Sequence, residues 1–356
     1  MISQIYNRLF VKNNSYLVGS ASSALYIFIK HMRLANTSII CPSNICYSIP
    51  FTILASGNTP VFYDVDKVSG NPDLPCVVKA LDFQKNISAI VLPHMYGNIS
   101  TQRDKIVSHC NQKGILVIED CAASIGSSTV IDKSKYKSDA IIFSFGENKH
   151  VDLGYGGLLA TDHSVDINYH EKSMIYSFHT AKIRIDLFDK VYKSILYSDF
   201  YYDLLPNLAS FADFVKGAFV YKVSWKKDAV KNLLQMLSNL EDRKENSLKL
   251  MDKMEDRIEY NCKYFSKYSF NEGSHPWRFN ISCVNGTVRN ELKNQMLNKG
   301  LDISIWYPPI DPIFSQPVKK NANYFSQRII NFNHTKATKA QISNFIKILN
   351  SYKSVT

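Results

Sequence analysis

The stretch Ser144-Phe145-Gly146-Glu147-Asn148-Lys149 follows directly on the apolar run Ala140-Ile141-Ile142-Phe143 and leads into the glycine turn Gly154-Tyr155-Gly156-Gly157. Consecutive apolar residues bounded by turn formers read as a strand buried on both faces. Upstream, Ile115-Leu116-Val117-Ile118 is a second such run, and it ends in Glu119-Asp120. A lysine and an aspartate are thereby set at the ends of two buried strands. Outward from them the pattern repeats. Apolar runs at 38–41, 61–64, 89–92 and 158–160 alternate with helical stretches such as 102–114. Over residues 20–165 this alternation predicts an α/β fold: a mainly parallel sheet covered by helices on both faces. Such sheets bind ligands at their carboxyl edge, where Asp120 and Lys149 fall.

Taken singly, a lysine after a strand is ordinarily solvated, and an aspartate at a strand end is ordinarily a turn former or helix cap. The pair has a specific chemical use. A lysine amine forms a Schiff base with the aldehyde of pyridoxal 5'-phosphate, and a carboxylate pairs with the protonated ring nitrogen of that cofactor. Partial burial lets the lysine lose its proton and act as nucleophile and base. The segment Gly19-Ser20-Ala21-Ser22-Ser23-Ala24-Leu25 precedes an apolar helical stretch. Its small residues at a helix start would offer free N–H groups to a phosphate, although an ordinary N-cap has the same appearance.

Several ordered blocks now resemble one family, the DegT/DnrJ/EryC1/StrS sugar aminotransferases. Val117-Ile118-Glu119-Asp120-Cys121-Ala122-Ala123-Ser124-Ile125-Gly126 is similar to V-I-E-D-A-A-x-A-x-G. Ser144 through Lys149 and Gly154–Gly157 resemble S-F-x-x-x-K and G-E-G-G. Residues 60–66 follow P-V-F-x-D-x-D, and His94-Met95-Tyr96-Gly97 follows H-x-Y-G. The likeness is close over about residues 15–165 and looser beyond. It implies the aspartate aminotransferase-like fold (pyridoxal phosphate fold type I), with Lys149 and Asp120 catalytic. It also implies cofactor contacts from Ala21, Ser22, Tyr47 and Ser144, and substrate contacts from His94, Tyr155, Trp306 and Tyr307. Trp306-Tyr307-Pro308-Pro309 matches the family's H-Y-P-x-P loop, with Trp306 in the histidine position.

Departures from the pattern matter equally. Ala123 stands where the family carries a glutamine or histidine against the cofactor. Cys46 stands at the ring-stacking aromatic, with Tyr47 beside it. Tyr155 replaces the glutamate of G-E-G-G, and the family's G-Y-N-Y-R-M block has no clear counterpart.

Composition bounds the rest. The 356 residues, 45% hydrophobic and 21% charged, suit a soluble protein with one large and one smaller domain. Residues 1–8 show no leader, and no apolar run reaches the roughly 20 residues that span a membrane. Seven cysteines without a Cys-x-x-Cys pair read as reduced thiols in a cytoplasmic protein. No His–Glu spacing suggests a metal. The net charge of +11 is dispersed; it matches no nucleic-acid-binding motif and would steer a nucleotide diphosphate inward.

The chain divides at 1–230, the large cofactor-binding domain with an irregular aromatic segment at 165–230, and 231–356. The second part opens with a long charged linking helix over 228–263, in which Leu233, Leu237, Leu240 and Leu248 recur at near-helical spacing. A small α/β domain follows in the order β-α-β-β-α. The resulting expectation is a homodimeric aminotransferase. It would pass an amino group from an amino acid, glutamate, to a nucleotide-linked keto sugar for a surface polysaccharide such as O-antigen. Two alternatives stay open: a sugar dehydratase of the same fold, whose relatives usually replace the lysine with histidine, and a cofactor-binding regulatory protein with little turnover.

Overall fold

The computed structural model describes residues 12–127, 138–198 and 200–353. The N-terminal residues read above as carrying no leader lie outside these ranges.

Seven strands form the main sheet: β1 (Asn14–Val18), β2 (Ser38–Pro42), β3 (Thr59–Tyr63), β4 (Ile87–Pro93), β5 (Leu116–Asp120), β6 (Ala140–Ser144) and β7 (Gly157–Thr161). They lie in the order β1-β7-β6-β5-β4-β2-β3. The run from β6 to β3 is parallel, and β7 and β1 close the edge antiparallel. The apolar runs therefore became interior strands, as two-sided burial requires. Because β4, β5 and β6 are parallel neighbours, His94, Asp120 and Ser144 emerge side by side at one edge.

Helix α1 (Ala21–His31) crosses β6 and β7 and is buried nearly all round, with Ala24, Leu25, Ile27, Phe28 and Ile29 fully enclosed. Ser20 caps it, its Oγ accepting the Ser23 N–H at 2.9 Å. Lys30 and His31 in the last turn complement the negative end of the dipole.

Much of 165–230 is helical where the sequence suggested irregularity, with one short strand pair, Tyr176–Ser177 and Tyr221–Lys222. Helix α2 (Phe178–Leu196) runs nineteen residues, and its Phe188, Tyr192 and Leu196 join the core cluster of the main sheet. Its aromatic and β-branched residues have modest helix propensity, so packing of one face decides its state. The single linking helix is instead a pair, α3 (Lys227–Ser238) and α4 (Leu240–Glu255), broken at Asn239. Leu233, Leu237 and Leu240 pack with Phe143, Phe145 and Leu158 of the main sheet. The large core thus continues past residue 230.

The second sheet joins Phe265–Lys267, Phe279–Cys283, Ile329–Phe332 and Ile303–Ser304, all antiparallel and in that spatial order. Two helices, Gly286–Asn298 and Lys339–Ser351, cover its apolar face. A capping box at Thr338 and Gln341 opens the second. Gly300, with φ +68°, follows the C-cap of the first.

The two sheets are stitched at one seam. Trp277 N donates to Tyr96 O at 2.7 Å and His275 N to Gly97 O at 3.2 Å. Asn98, Ser274 and Asn271 add side-chain bonds. Gly97 has φ +80°, and a Cβ there would come within 1.9 Å of His275 O. Gly97→Ala should therefore open the seam. In urea denaturation it should lose more stability than Gly57→Ala, a site with φ +86° but nothing within 4 Å. The shared left-handed strain costs about 1–2 kcal/mol, and the excess measures the clash. Equal losses would show that the seam tolerates a methyl group.

Candidate active site

The carboxyl edge of β4, β5 and β6 faces the N-terminus of α1 across a cavity of about 160 Å³. Ala21, Ser22, His94, Asp120, Ser144 and Lys149 all line it, with Cys46 and Tyr307. The structure thus brings together residues spread over nearly 290 positions of sequence (~290, from chain order). Lys149 also opens into a larger cleft of about 410 Å³ formed with Tyr47, Trp277, Arg278, Trp306, Tyr307 and the α2 side chains Lys182, Asp189 and Lys193.

Lys149 is common to both spaces. Burial pushes its amine below the usual lysine range; Cys46 and Asp120 oppose that shift, and Arg278 adds to it. Its Nζ lies 4.7 Å from the Trp277 ring centroid. Asp120 is 8% exposed. Burial raises its carboxyl, countered by the Ala122 N–H, which donates to Oδ1 at 2.9 Å, and by the charges of Lys149 and His94. A buried carboxylate and a half-buried amine are thus held at one cavity, each with a protonation state that a bound group would reset.

Behind Asp120 lies a fully buried ionic cluster. Glu119 Oε1 accepts from Arg103 Nη2 at 2.7 Å; Oε2 accepts from Arg103 Nε at 3.0 Å and meets His94 Nε2 at 2.9 Å. Burial works against the charged carboxylate, yet the His94 and Arg103 hydrogen bonds hold Glu119 at about 2. His94, Glu119 and Cys121 place ligand atoms within 4.8 Å of one another, but both Glu119 oxygens are already engaged. His94 Nδ1 has no hydrogen-bond partner.

At the α1 end, Ser20 Oγ donates to Phe219 O at 3.0 Å and Ser23 Oγ to Tyr221 O at 2.8 Å. Residues 219–221 of the same chain therefore seal the outer side of the helix start. The first-turn residues Ala21 and Ser22 remain on the cavity. Ser144 Oγ accepts from Gly146 N at 3.3 Å.

Three sequence-predicted residues are placed differently from the rest. Tyr47 lines the larger cleft and not the small cavity. Its hydroxyl donates to Asp189 at 2.7 Å, and its ring packs edge-on against Phe188 and Tyr192; Cys46 takes the cavity wall. Tyr155 lines neither space, because its ring packs between Phe178 and Trp225 at 5.5 Å from each. Trp306 stacks parallel to Tyr192 and reaches only the cleft. Tyr307 borders both spaces and lies parallel to Tyr96.

Sequence reasoning missed Trp277, Arg278 and the polar face of α2. The available signals were an aromatic–arginine pair just ahead of a strand and lysines and aspartates spaced at helical intervals through 182–193.

Known proteins resemble this chain in sequence and in fold. The profile described as DegT/DnrJ/EryC1/StrS aminotransferase family matches residues 8–347. The dTDP-4-dehydro-2,3,6-trideoxy-D-glucose 4-aminotransferase of Saccharopolyspora spinosa is 28% identical over 172 residues, 46% of this chain and 44% of that protein. The matched stretch spans less than half the length of such curated relatives. Among solved structures, the aminotransferase TlmJ from Streptoalloteichus hindustanus superposes with a TM-score of 0.71 at 15% identity, covering 98% of this chain and 88% of that one. NtdA from Bacillus subtilis, solved with bound cofactor PMP, superposes at 0.69 and 17% identity, covering 98% and 76%. At those identities the likeness shows the fold: that of the fold type I aminotransferases.

The buried cluster sets an acid-stability signature. Glu119 titrates near 4.5 when unfolded and about 2 when folded. Its contribution is fully present above 4.5 and is lost as pH falls toward 2. Glu119→Gln should therefore flatten the loss of stability in that window. At neutral pH it should cost about 3–5 kcal/mol by removing the buried carboxylate from Arg103, whose Nη1 still meets the exposed Asp104. Urea midpoints measured across pH check both. An unchanged acid limb in the variant would place the titration on another group.

Proposed function

The chain belongs to the DegT/DnrJ/EryC1/StrS aminotransferase family, and from that membership and the paired cavity we propose that it moves an amino group from glutamate to a nucleotide-linked keto sugar. The observation that carries this reading is the convergence of Lys149 and Asp120 on one cavity beneath the start of α1. Pyridoxal 5'-phosphate is the family's cofactor, and the cavity's donor set fits it. Asp120 is a buried anion for a cationic ring nitrogen. Ala21, Ser22 and Ser144 offer a helix start and a hydroxyl to a phosphate. Lys149 is a half-buried amine for an aldehyde.

When bound, pyridoxal phosphate supplies an aldehyde that takes an amine and a ring that withdraws electrons from the carbon losing its proton. The chain's residues do the rest. Lys149 Nζ, its basicity lowered by burial, accepts and returns a proton beside the reacting carbon. Asp120 keeps a positive partner charged in a place where water would not. Trp306, Tyr307 and Trp277 wall the cleft beside Lys149. Ala123 offers no hydrogen bond where the family has Gln or His, a loss of about 0.5–1.5 kcal/mol and at most roughly tenfold in rate.

The nucleotide sugar, the glutamate donor and a role in surface polysaccharide assembly, such as O-antigen, belong to this proposal. So does a homodimer: Ile183 and Leu187, one turn apart on α2, stand 71% and 48% exposed, a face that a second copy would cover. No described helix is long and apolar enough to cross a membrane. The cysteines are free thiols, which supports a reducing, cytoplasmic setting.

The first half of the test needs no sugar. Protein loaded with pyridoxal phosphate should change its visible absorbance when glutamate is added, and a keto-sugar nucleotide should restore it. A spectrum indifferent to glutamate and every common amino donor contradicts the proposal and favours the regulatory alternative. Asp120→Asn should fold normally and slow the glutamate-driven change on the order of 10²-fold or more. A near-normal rate would show that Asp120 has another task.

A further inference from the structure

The end of α2 and the helix Gly286–Asn298 enclose another space, which the chemistry above leaves unused. It holds about 670 Å³, a volume ordinary for a small-molecule site. Among the described residues it shares no lining with either space at Lys149. Aromatic rings stand between them. Tyr201, which lines the space, meets Tyr192 hydroxyl to hydroxyl at 3.3 Å, and Tyr192 stacks on Trp306 of the Lys149 cleft.

Two cations face this space. Arg289 and Lys293 lie four residues apart on one side of their helix, and both line it. Lys293 is 7% exposed, with Nζ 5.1 Å from the Tyr197 ring centroid. Arg289 Nη1 donates to Ser326 O at a long 3.4 Å, and its Nε has no hydrogen bond. Burial weighs most on this guanidinium; the groups that oppose it are Cys283, Tyr202 and Tyr197, none of them a carboxylate. No Asp or Glu lines the space among the described residues. The helix ends do not decide its sign. The positive start of Gly286–Asn298 and the negative end of α2 both border it and offset one another. The side chains decide. Buried polar atoms are nearly always paired, and an arginine cannot escape by losing its proton, so the arrangement calls for an anion.

We propose that this space binds a diphosphate group, as a second ligand site outside the Lys149 cleft. The inference goes beyond the aminotransferase reading and does not depend on it. A diphosphate spreads its charge over two adjoining phosphoryl groups. A guanidinium fork and an ammonium one helical turn apart can each take one. A single carboxylate would engage one cation and leave the other. Asn290 and Asn294 set amide donors beside the cations, and the rings of Tyr197 and Tyr202 line the same space. Rings with a polar tip suit the base of a nucleoside diphosphate.

The experiment uses cofactor-loaded protein, so that the cofactor's own phosphate site is filled. Calorimetry measures the affinity for inorganic pyrophosphate, and hydrogen exchange locates it. Pyrophosphate should bind wild type and slow exchange over 286–294 and at the end of α2. Arg289→Gln and Lys293→Gln should each weaken it about tenfold or more, and Arg289→Lys by less, since lysine keeps the charge without the fork. Uridine and glutarate should protect neither segment. UDP that protects 286–294 at lower concentration than pyrophosphate would support the site and name a nucleotide as its ligand; equal concentrations would support it and name the bare diphosphate. Circular dichroism certifies the fold of each variant, and if a Gln variant does not fold, Arg289→Lys carries the comparison. Absence of protection over 286–294, pyrophosphate affinity unchanged in the variants, or equal protection by glutarate would each overturn the proposal.

Discussion

Drawing an amine partly out of water beside a carboxylate is the constraint on which this molecule turns. Lys149 is half-buried among Cys46, Asp120, Trp277 and Arg278, and desolvation drives its proton affinity down. A lysine exposed to water would stay charged at neutral pH and be a poor nucleophile. Enclosure is possible only because two buried strands end at the same edge. β5 delivers Asp120, and the turn after β6 delivers Lys149, so opposite charges enter the low-dielectric interior together. Neither would be tolerated there alone. Glu119, one residue earlier on β5, points the other way, where it pairs with Arg103 and is hydrogen-bonded to His94. Alternation along a single strand thus separates a structural carboxylate from one that faces the cavity.

The second sheet completes the enclosure. The seam from Tyr96–Gly97 to His275–Trp277 fixes the indole against the Lys149 turn and carries Arg278 to the cleft wall. Gly97 sets the closeness of that approach, because no side chain fits between its Cα and His275 O. On the other flank, α2 presents Asp189 to the Tyr47 hydroxyl and lays Tyr192 parallel to Trp306. Strand edge, seam and helix each close one wall, so the site belongs to contacts between elements.

The parts closest to the strands were the most legible. Uninterrupted apolar runs specify interior strands whatever surrounds them, and the glycine turns after β6 pin the direction of the chain there. Asp120, Ser144, Ala21 and Ser22 could be placed because each sits at a strand end or helix start. Residues 165–230 were opaque for a physical reason: α2 is rich in aromatic and β-branched residues, and its helical state follows from packing Phe188 and Tyr192 into a core that sequence periodicity does not reveal. The break at Asn239 was hidden likewise, since leucines at 233, 237 and 240 continue one stripe across it. Arg278 lay about 130 residues from Lys149 along the chain, beyond what spacing can read. Tyr155 misled because its place in the glycine turn suggested the cavity, while its ring found Phe178 and Trp225.

The central claim is that Lys149 is the residue joined to the cofactor, and borohydride reduction tests it most directly. Protein loaded with pyridoxal phosphate, reduced, digested and mapped by mass spectrometry should carry the cofactor on the peptide containing Lys149, and Lys149→Ala should carry none. Label fixed at a different lysine, or an unlabelled protein after saturating cofactor, would contradict the account.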